Sequence, residues 1–278
     1  MKKHLLFIAF ILSITACEFG SKKPAFVEVE TPDSIPAFVE YRIEVLNEKS
    51  GPCEQDSLSS QCTTYAVEYP VITGMISEQA KAEINENIKS AIFDYAFLTE
   101  KPESFQSLID ELSAEYTSIL EEYPDYSASW SMEVNSDIIY QDSSFISVAS
   151  TIYSYTGGAH PNQYQVYRSY DLQTGKAITL SDILSSGFEE ELNQAAEIEF
   201  RMLKEIPPNE ELKDRGYFFE GGTFVLNDNF AIINKSLIFY FNPYEIAPYA
   251  VGSTELELKL TDYINLLNEN GVLNDLKN

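Results

Sequence analysis

His160 is the residue whose type and setting could most readily do chemistry. It stands in Tyr155-Thr156-Gly157-Gly158-Ala159-His160-Pro161-Asn162. An imidazole titrates near neutrality, so it can serve as a general base or contact a ligand. Neighbouring glycines let the backbone approach a partner closely. The same run also reads as a turn that Gly157 and Gly158 shape and the imidazole locks through hydrogen bonds. That structural role is the expectation. Tyr153, Tyr155, Tyr164, Tyr167 and Tyr170 surround this turn in a chain with 18 tyrosines. Tyrosine supplies contact area at small entropic cost, so the cluster could be a binding face. Aromatic side chains packing on a sheet are the simpler reading.

Other motifs fail on inspection. Gly175-Lys176 would need a glycine where Tyr170 stands, and Ser or Thr where Ala177 stands, to cradle phosphate. Asn268, Asn270 and Gly271 match part of a calcium loop, but Leu266 and Lys277 occupy positions that need Asp and Glu. No Gly-x-Ser-x-Gly elbow occurs. With two histidines in all, His4 and His160, zinc-hydrolase patterns have too few ligands, and no metal or cofactor is expected. The 44 acidic residues guarantee accidental carboxylate pairs. Glycosidase-like or other wall-modifying chemistry through carboxylates therefore stays open as an alternative. Glu220 beside Gly221-Gly222 is a lesser candidate that reads as a solvated turn.

The first residues read as an address. Lys2 and Lys3 precede an uncharged apolar run from Leu5 to Leu12, too short for a bilayer span and suited to a signal peptide. Ile14-Thr15-Ala16-Cys17 then looks like a bacterial lipobox, which makes residues 1–16 a signal peptide and Cys17 the lipidated first residue. Acyl chains of palmitate type would be its only membrane attachment. Without Lys2 and Lys3, 16 bases face 44 acids, and the net charge of −26 becomes −28. Nucleic acid is excluded as a partner, because a phosphate backbone needs a basic surface. Cys53 and Cys62 remain as a pair, and an oxidising envelope favours a disulfide between them. A two-cysteine metal site is the rival reading, short of soft ligands.

Several elements must position these residues. Residues 17–36 are polar, hold three prolines and read as a tether. Strands are expected at Ala37–Leu46 and Thr64–Ile72 from alternation. Ile76 to Tyr95 and Phe105 to Leu120 carry apolar residues at helical spacing. Ser129–Tyr140, Ser144–Tyr155 and Tyr164–Leu172 read as strands, with Asp142-Ser143 as a turn. A helical turn at Leu180 and a helix from Leu192 to Ile206 follow. Short strands are expected at Phe224–Leu226, Ala231–Ile233 and Leu237–Phe241, the last apolar on both faces like a central strand. Leu256, Leu258 and Leu260 mark a half-buried strand, and a terminal helix is expected from Asp262. The fold class is α+β, a mainly antiparallel sheet packed with amphipathic helices. Residues 37–156 and 157–278 read as two halves of one unit.

Two separated blocks carry a resemblance. The first joins Tyr155–Asn162 to Tyr170-Asp171-Leu172, Thr174-Gly175-Lys176 and Ile178-Thr179-Leu180-Ser181-Asp182-Ile183-Leu184. The second is Tyr240-Phe241-Asn242-Pro243-Tyr244-Glu245-Ile246-Ala247-Pro248-Tyr249-Ala250-Val251-Gly252. Together they resemble the extracytoplasmic domain of RsiV-type anti-sigma factors, a module also found before the catalytic domain of PdaC-type peptidoglycan deacetylases. The similarity covers roughly Tyr65 to Leu260. It implies an α+β fold, an envelope location and a binding function, since RsiV-type domains are receptors for lysozyme. The expectation is the shared module alone on a lipid anchor, not an enzyme. A basic secreted protein such as lysozyme is its first candidate partner, and cell-wall glycan the second. Tyr155, Gly157, Gly158, His160, Tyr164 and Tyr244 are the candidate binding residues.

Overall fold

The first two long strands pair with each other across a short connection that a disulfide closes. In the computed structural model, β1 (Glu40–Ser50) lies antiparallel to β2 (Thr63–Gly74). The structure describes residues 38–56, 59–95, 101–269 and 271–277. The expected signal peptide, Cys17 and the tether lie outside the described residues. β1 starts three residues later than its alternation suggested and runs on to Ser50. Cys53 and Cys62 are bonded across the loop, with Cα atoms 5.3 Å apart. Their sequence separation of 9 gives a loop-entropy contribution of about 2.7 kcal/mol. Replacing both by Ser should lower Tm by about 5–8 °C, as read by a circular-dichroism melt. A wild-type melting curve in that variant would show that the bridge does not constrain the unfolded chain.

Helices α1 (Glu78–Phe93) and α2 (Phe105–Glu122) follow. Each begins where a serine oxygen takes a free amide: Ser77 accepts from Ala80 N and Ser104 from Ser107 N. Ala80, Ile84, Ile88 and Ile92 form the buried stripe of α1, and Phe105, Leu108, Ile109 and Tyr116 that of α2. This helical excursion allows β3 (Trp130–Gln141) to lie parallel to β2. β4 (Phe145–Tyr155) and β5 (Asn162–Asp171) then add antiparallel, giving the order β1-β2-β3-β4-β5. Both helical stripes pack on one face of this sheet, over Tyr65, Val67, Met132, Val134, Ile146, Val148 and Ile152.

A second layer covers part of the other face. After α3 (Leu180–Ile183) and α4 (Glu189–Leu203), strands β6 (Phe230–Ile233), β7 (Ser236–Phe241) and β8 (Thr254–Lys259) form a separate antiparallel sheet with β7 at its centre. The two-sided apolar character of Leu237–Phe241 anticipated that central place. Leu192, Ala196 and Phe200 of α4 pack with Phe224, Phe239, Phe241, Leu256 and Leu258. Buried serines join the sheets. Ser147 Oγ donates to Ile232 O at 2.6 Å, and Ile232 N donates to Ser169 Oγ at 3.0 Å. The fold is α+β; the strands divide between two sheets, and only β2–β3 is parallel.

Two expected elements are not formed. Phe224–Leu226 pairs with no strand. Phe224 is buried in the core, while Leu226 N donates to the Asn193 side chain on α4, so that amide is met by a helix side chain and not by a strand. The terminal helix from Asp262 is replaced by 3₁₀ turns at Leu260–Leu266 and Asn274–Lys277. Tyr263 has φ −128° inside the first turn, which interrupts helical winding. The chain then zips back onto the end of α3: Ser185 N donates to Leu266 O, and Asn268 N to Ile183 O.

Candidate functional site

The β4–β5 connection gathers the sequence candidates, and its shape comes from below. Tyr126 OH donates to Thr156 O at 3.2 Å and accepts from Trp130 Nε1 at 3.0 Å. Gly157 passes over this phenol with φ 86°. His160 follows on the outer side of the turn. Its Nδ1 lies 2.9 Å from Pro161 O, and a carbonyl only accepts, so Nδ1 carries a proton. In the neutral ring Nε2 is then the acceptor for Tyr244 OH at 3.2 Å. The imidazole stacks on Tyr249, with centroids 4.1 Å apart and planes 15° apart, and Tyr244 lies 5.4 Å from Tyr249.

The loop after β7 presents these tyrosines. Asn242 N donates to Glu245 Oε2, and Glu245 N donates to Asn242 O, which tightens Asn242–Glu245 into a turn. Tyr244 stands at φ 71° on that turn with 55% of its surface exposed. Tyr249 is also exposed, and with the half-buried His160 the two tyrosines form an aromatic ridge on the surface. Large exposed side chains grouped in this way mark interaction surfaces more often than scattered ones do.

A cleft of about 240 Å³ opens beneath the helical layer, and the same turn contributes to it. Tyr65, Tyr95, Leu112, Trp130 and Ile152 give it apolar walls, and Glu115, Ser131, Ser154, Thr156 and Asn162 give it polar groups. Burial pushes the Tyr95 phenol above its ordinary range, with Arg168 opposing that shift. Tyr65 OH accepts from Ser113 Oγ at 3.2 Å. Tyr164 packs its ring 5.0 Å from Tyr95 beside the cleft.

The five tyrosines near the turn do not make one face. Strand period two sends Tyr164 and Tyr170 toward the helices, opposite Ile152 and Ile146, while Tyr153, Tyr155 and Tyr167 take the other face. Tyr170 is fully buried. Tyr167 donates to Glu255 at 2.8 Å, and burial raises its phenol strongly, with Glu255 adding to the shift. His160 and Tyr244 are brought together, Tyr164 packs on Tyr95 without lining the cleft, and Tyr155 ends β4 half-buried. Gly158 is exposed and touches neither feature. Sequence reasoning missed Tyr249, Tyr65, Tyr95 and Trp130 as site residues. Tyr249 had a signal, five positions after Tyr244 in a loop punctuated by Pro243 and Pro248. Among the described residues, no group of three or more His, Cys, Asp or Glu is arranged to hold a metal ion.

Comparison with known proteins fits this layout. A family model described as "Deacetylase PdaC" matches residues 57–163, and one described as "Protein of unknown function (DUF3298)" matches residues 181–261. The crystal structure of a DUF3298 family member from Bacteroides fragilis superposes with TM-score 0.71 at 20% identity, covering 86% of this chain and 97% of that one. The chain carries a PdaC/DUF3298-type domain. A second DUF3298 family structure, from Pseudomonas aeruginosa, gives TM-score 0.64 at 16% identity over 84% of this chain and 95% of that one. No curated protein matches. Within the PdaC/DUF3298-type domain, the PdaC match takes in the helical layer and ends at Gln163, just past the β4–β5 turn. The DUF3298 match takes in α4 and the second sheet. The aromatic ridge therefore draws His160 from one matched region and Tyr244 and Tyr249 from the other. No helix among the described residues is long and apolar enough to cross a membrane.

Proposed function

We propose that this PdaC/DUF3298-type domain is a non-catalytic binding module of the bacterial cell envelope, held to the membrane through lipid on Cys17. Its ridge of His160, Tyr244 and Tyr249 docks a basic secreted protein of lysozyme type. The observation that carries this reading is a three-ring ridge, with Tyr244 and Tyr249 exposed, on a chain of net charge −26. Tyrosine is enriched among interface residues whose truncation costs most. Complementary charge raises the association rate and makes it sensitive to salt. His160 serves to hold Tyr244 and Tyr249 in place, which suits a contact surface better than proton transfer.

Titration with a C-type lysozyme tests this reading. Binding should be tighter at low than at moderate ionic strength. Tyr249→Ala should weaken it about tenfold, the effect of a modest interface anchor, without lowering Tm. No binding at low salt removes the reading. Mass spectrometry should find acyl chains on Cys17, and an unacylated protein would remove the anchor.

The cleft favours a second partner, cell-wall glycan. Sugar rings suit walls of Trp130, Tyr65 and Tyr95 with Asn162, Ser154 and Glu115 close by. Purified peptidoglycan should retain the protein in a pull-down, and Trp130→Ala should release it. Full recovery of the wild-type protein in the supernatant excludes this partner.

A further inference from the structure

The outer edge of β5 is closed by named partners. Asn242 Oδ1 accepts from Gln165 N, Asn229 Oδ1 accepts from Tyr167 N, and both amides donate to Gln165 O. Ile178 N and Lys176 O occupy Ser169 O and Asp171 N. Ser147 and Ser169 hold β6 at Ile232 in the same manner. β1 differs. Among the described residues it pairs with β2 alone, and 11 residues of backbone run along its other side. Tyr41, Ile43 and Val45 alternate along it and are 44%, 43% and 54% exposed. A long open edge with an apolar stripe is the form that accepts another strand.

The residues of β1 indicate which strand. If β1 pairs antiparallel with β1 of a second copy, centred on Ile43, Arg42 faces Glu44 twice and Tyr41 faces Val45 twice. Arg42 and Glu44 already sit 2.7 Å apart within one copy, so the pairing builds a cluster of alternating charge. Centring on Glu44 would instead set Glu44 against Glu44 and Glu40 against Glu48, like charges directly opposed. Centring on Val45 would place Ile43 opposite Asn47 and Tyr41 opposite Lys49, which breaks up the apolar stripe. We propose that β1 is the pairing strand of a two-fold dimer of this chain, in the register centred on Ile43. The two five-stranded sheets then join edge to edge through a self-complementary patch, the commonest arrangement for paired subunits. A net charge of −26 on each copy opposes approach, so added salt favours the dimer.

Sedimentation velocity of the purified full-length protein at moderate salt, from low to high micromolar, reads this directly. The mass should move from one chain to two. Ile43→Lys should stay at one chain at every loading with an unchanged melting curve. Val225→Lys, which charges an exposed residue outside β1, should dimerise like the wild type. With Cys17 replaced by Ser, Ile43→Cys should cross-link under oxidation far faster than Val45→Cys. A wild-type protein that stays single at all loadings overturns the proposal, and so does an Ile43→Lys protein that still dimerises. Faster cross-linking of Val45→Cys overturns the register.

Discussion

Gly175→Ala should lower Tm by about 10 °C, the largest loss expected of any single methyl added to this chain. Gly175 is buried at φ 79°, where an L side chain is strained. A Cβ there would stand 2.5 Å from Ala80 O and 2.7 Å from Glu83 Cβ, both on α1. The turn cannot give way easily. Asp171 Oδ1 accepts from Gln173 N, Thr174 N and Thr174 Oγ1, and Gly175 N donates to Asp171 O. The helix is held too, because Asn87 Nδ2 donates to Gly175 O. Backbone strain and the displacement of α1 together cost roughly 3–5 kcal/mol. Gly216→Ala is the control, since Gly216 has φ 82° with open space around it. It isolates the dihedral cost, about 1–2 kcal/mol. Differential scanning calorimetry should rank the two clearly, and equal shifts would show that the contact with α1 is not tight.

The contrast shows what a sequence can and cannot carry. Gly175-Lys176 resembles the end of a phosphate loop because glycine and lysine adjoin, but Tyr170 and Ala177 do not fit that pattern. The position is explained by a helix about a hundred residues earlier in the chain, which local spacing cannot reveal. Periodicity was enough for α1, α2, α4 and most strands, because burial of one face imposes a period of 3.6 or 2. It also identified β7 as a central strand from apolar residues on both faces. It failed at Phe224–Leu226, where Phe224 is buried, Val225 is exposed and Leu226 N meets the Asn193 side chain instead of a strand partner. It failed again after Asp262, where apolar residues serve a 3₁₀ turn docked on α3. The docking of the second sheet on the first was not legible, because it runs through Ser147 and Ser169 bonding to β6, and a buried serine looks like any other. Asn229 and Asn242 carried no local signal, although each closes the edge of β5. At the site, the Gly-Gly turn and Tyr244 were visible as local features. The cleft was not, since Tyr65, Tyr95, Trp130 and Asn162 come from four separate elements or their ends.

Gly157 and Gly158 are neighbours in one turn, and replacing each by Ala should separate them sharply. Gly157 has φ 86°, and a Cβ would fall 2.0 Å from Tyr126 OH. That phenol is fixed by Trp130 Nε1 and Thr156 O. Relief requires moving Tyr126 and breaking both bonds, each worth about 1 kcal/mol net, on top of about 1–2 kcal/mol of backbone strain. The total, roughly 3–4 kcal/mol, corresponds to a fall of about 8 °C in Tm. Trp130 lines the cleft, so the near-ultraviolet circular dichroism of this lone tryptophan should change with it. Gly158 has no positive φ, and its nearest heavy atom to an added Cβ is His160 O at 3.8 Å. Gly158→Ala should leave Tm unchanged or raise it slightly, because alanine restricts the unfolded chain more than glycine does. The two variants also separate the ridge from the cleft. A Gly157→Ala protein that folds at low temperature should lose cleft binding first, since Tyr126 bonds to Trp130 and not to His160. If both variants melt together, the phenol under the turn is not what shapes it, and the site would have to be built from the outer loop alone.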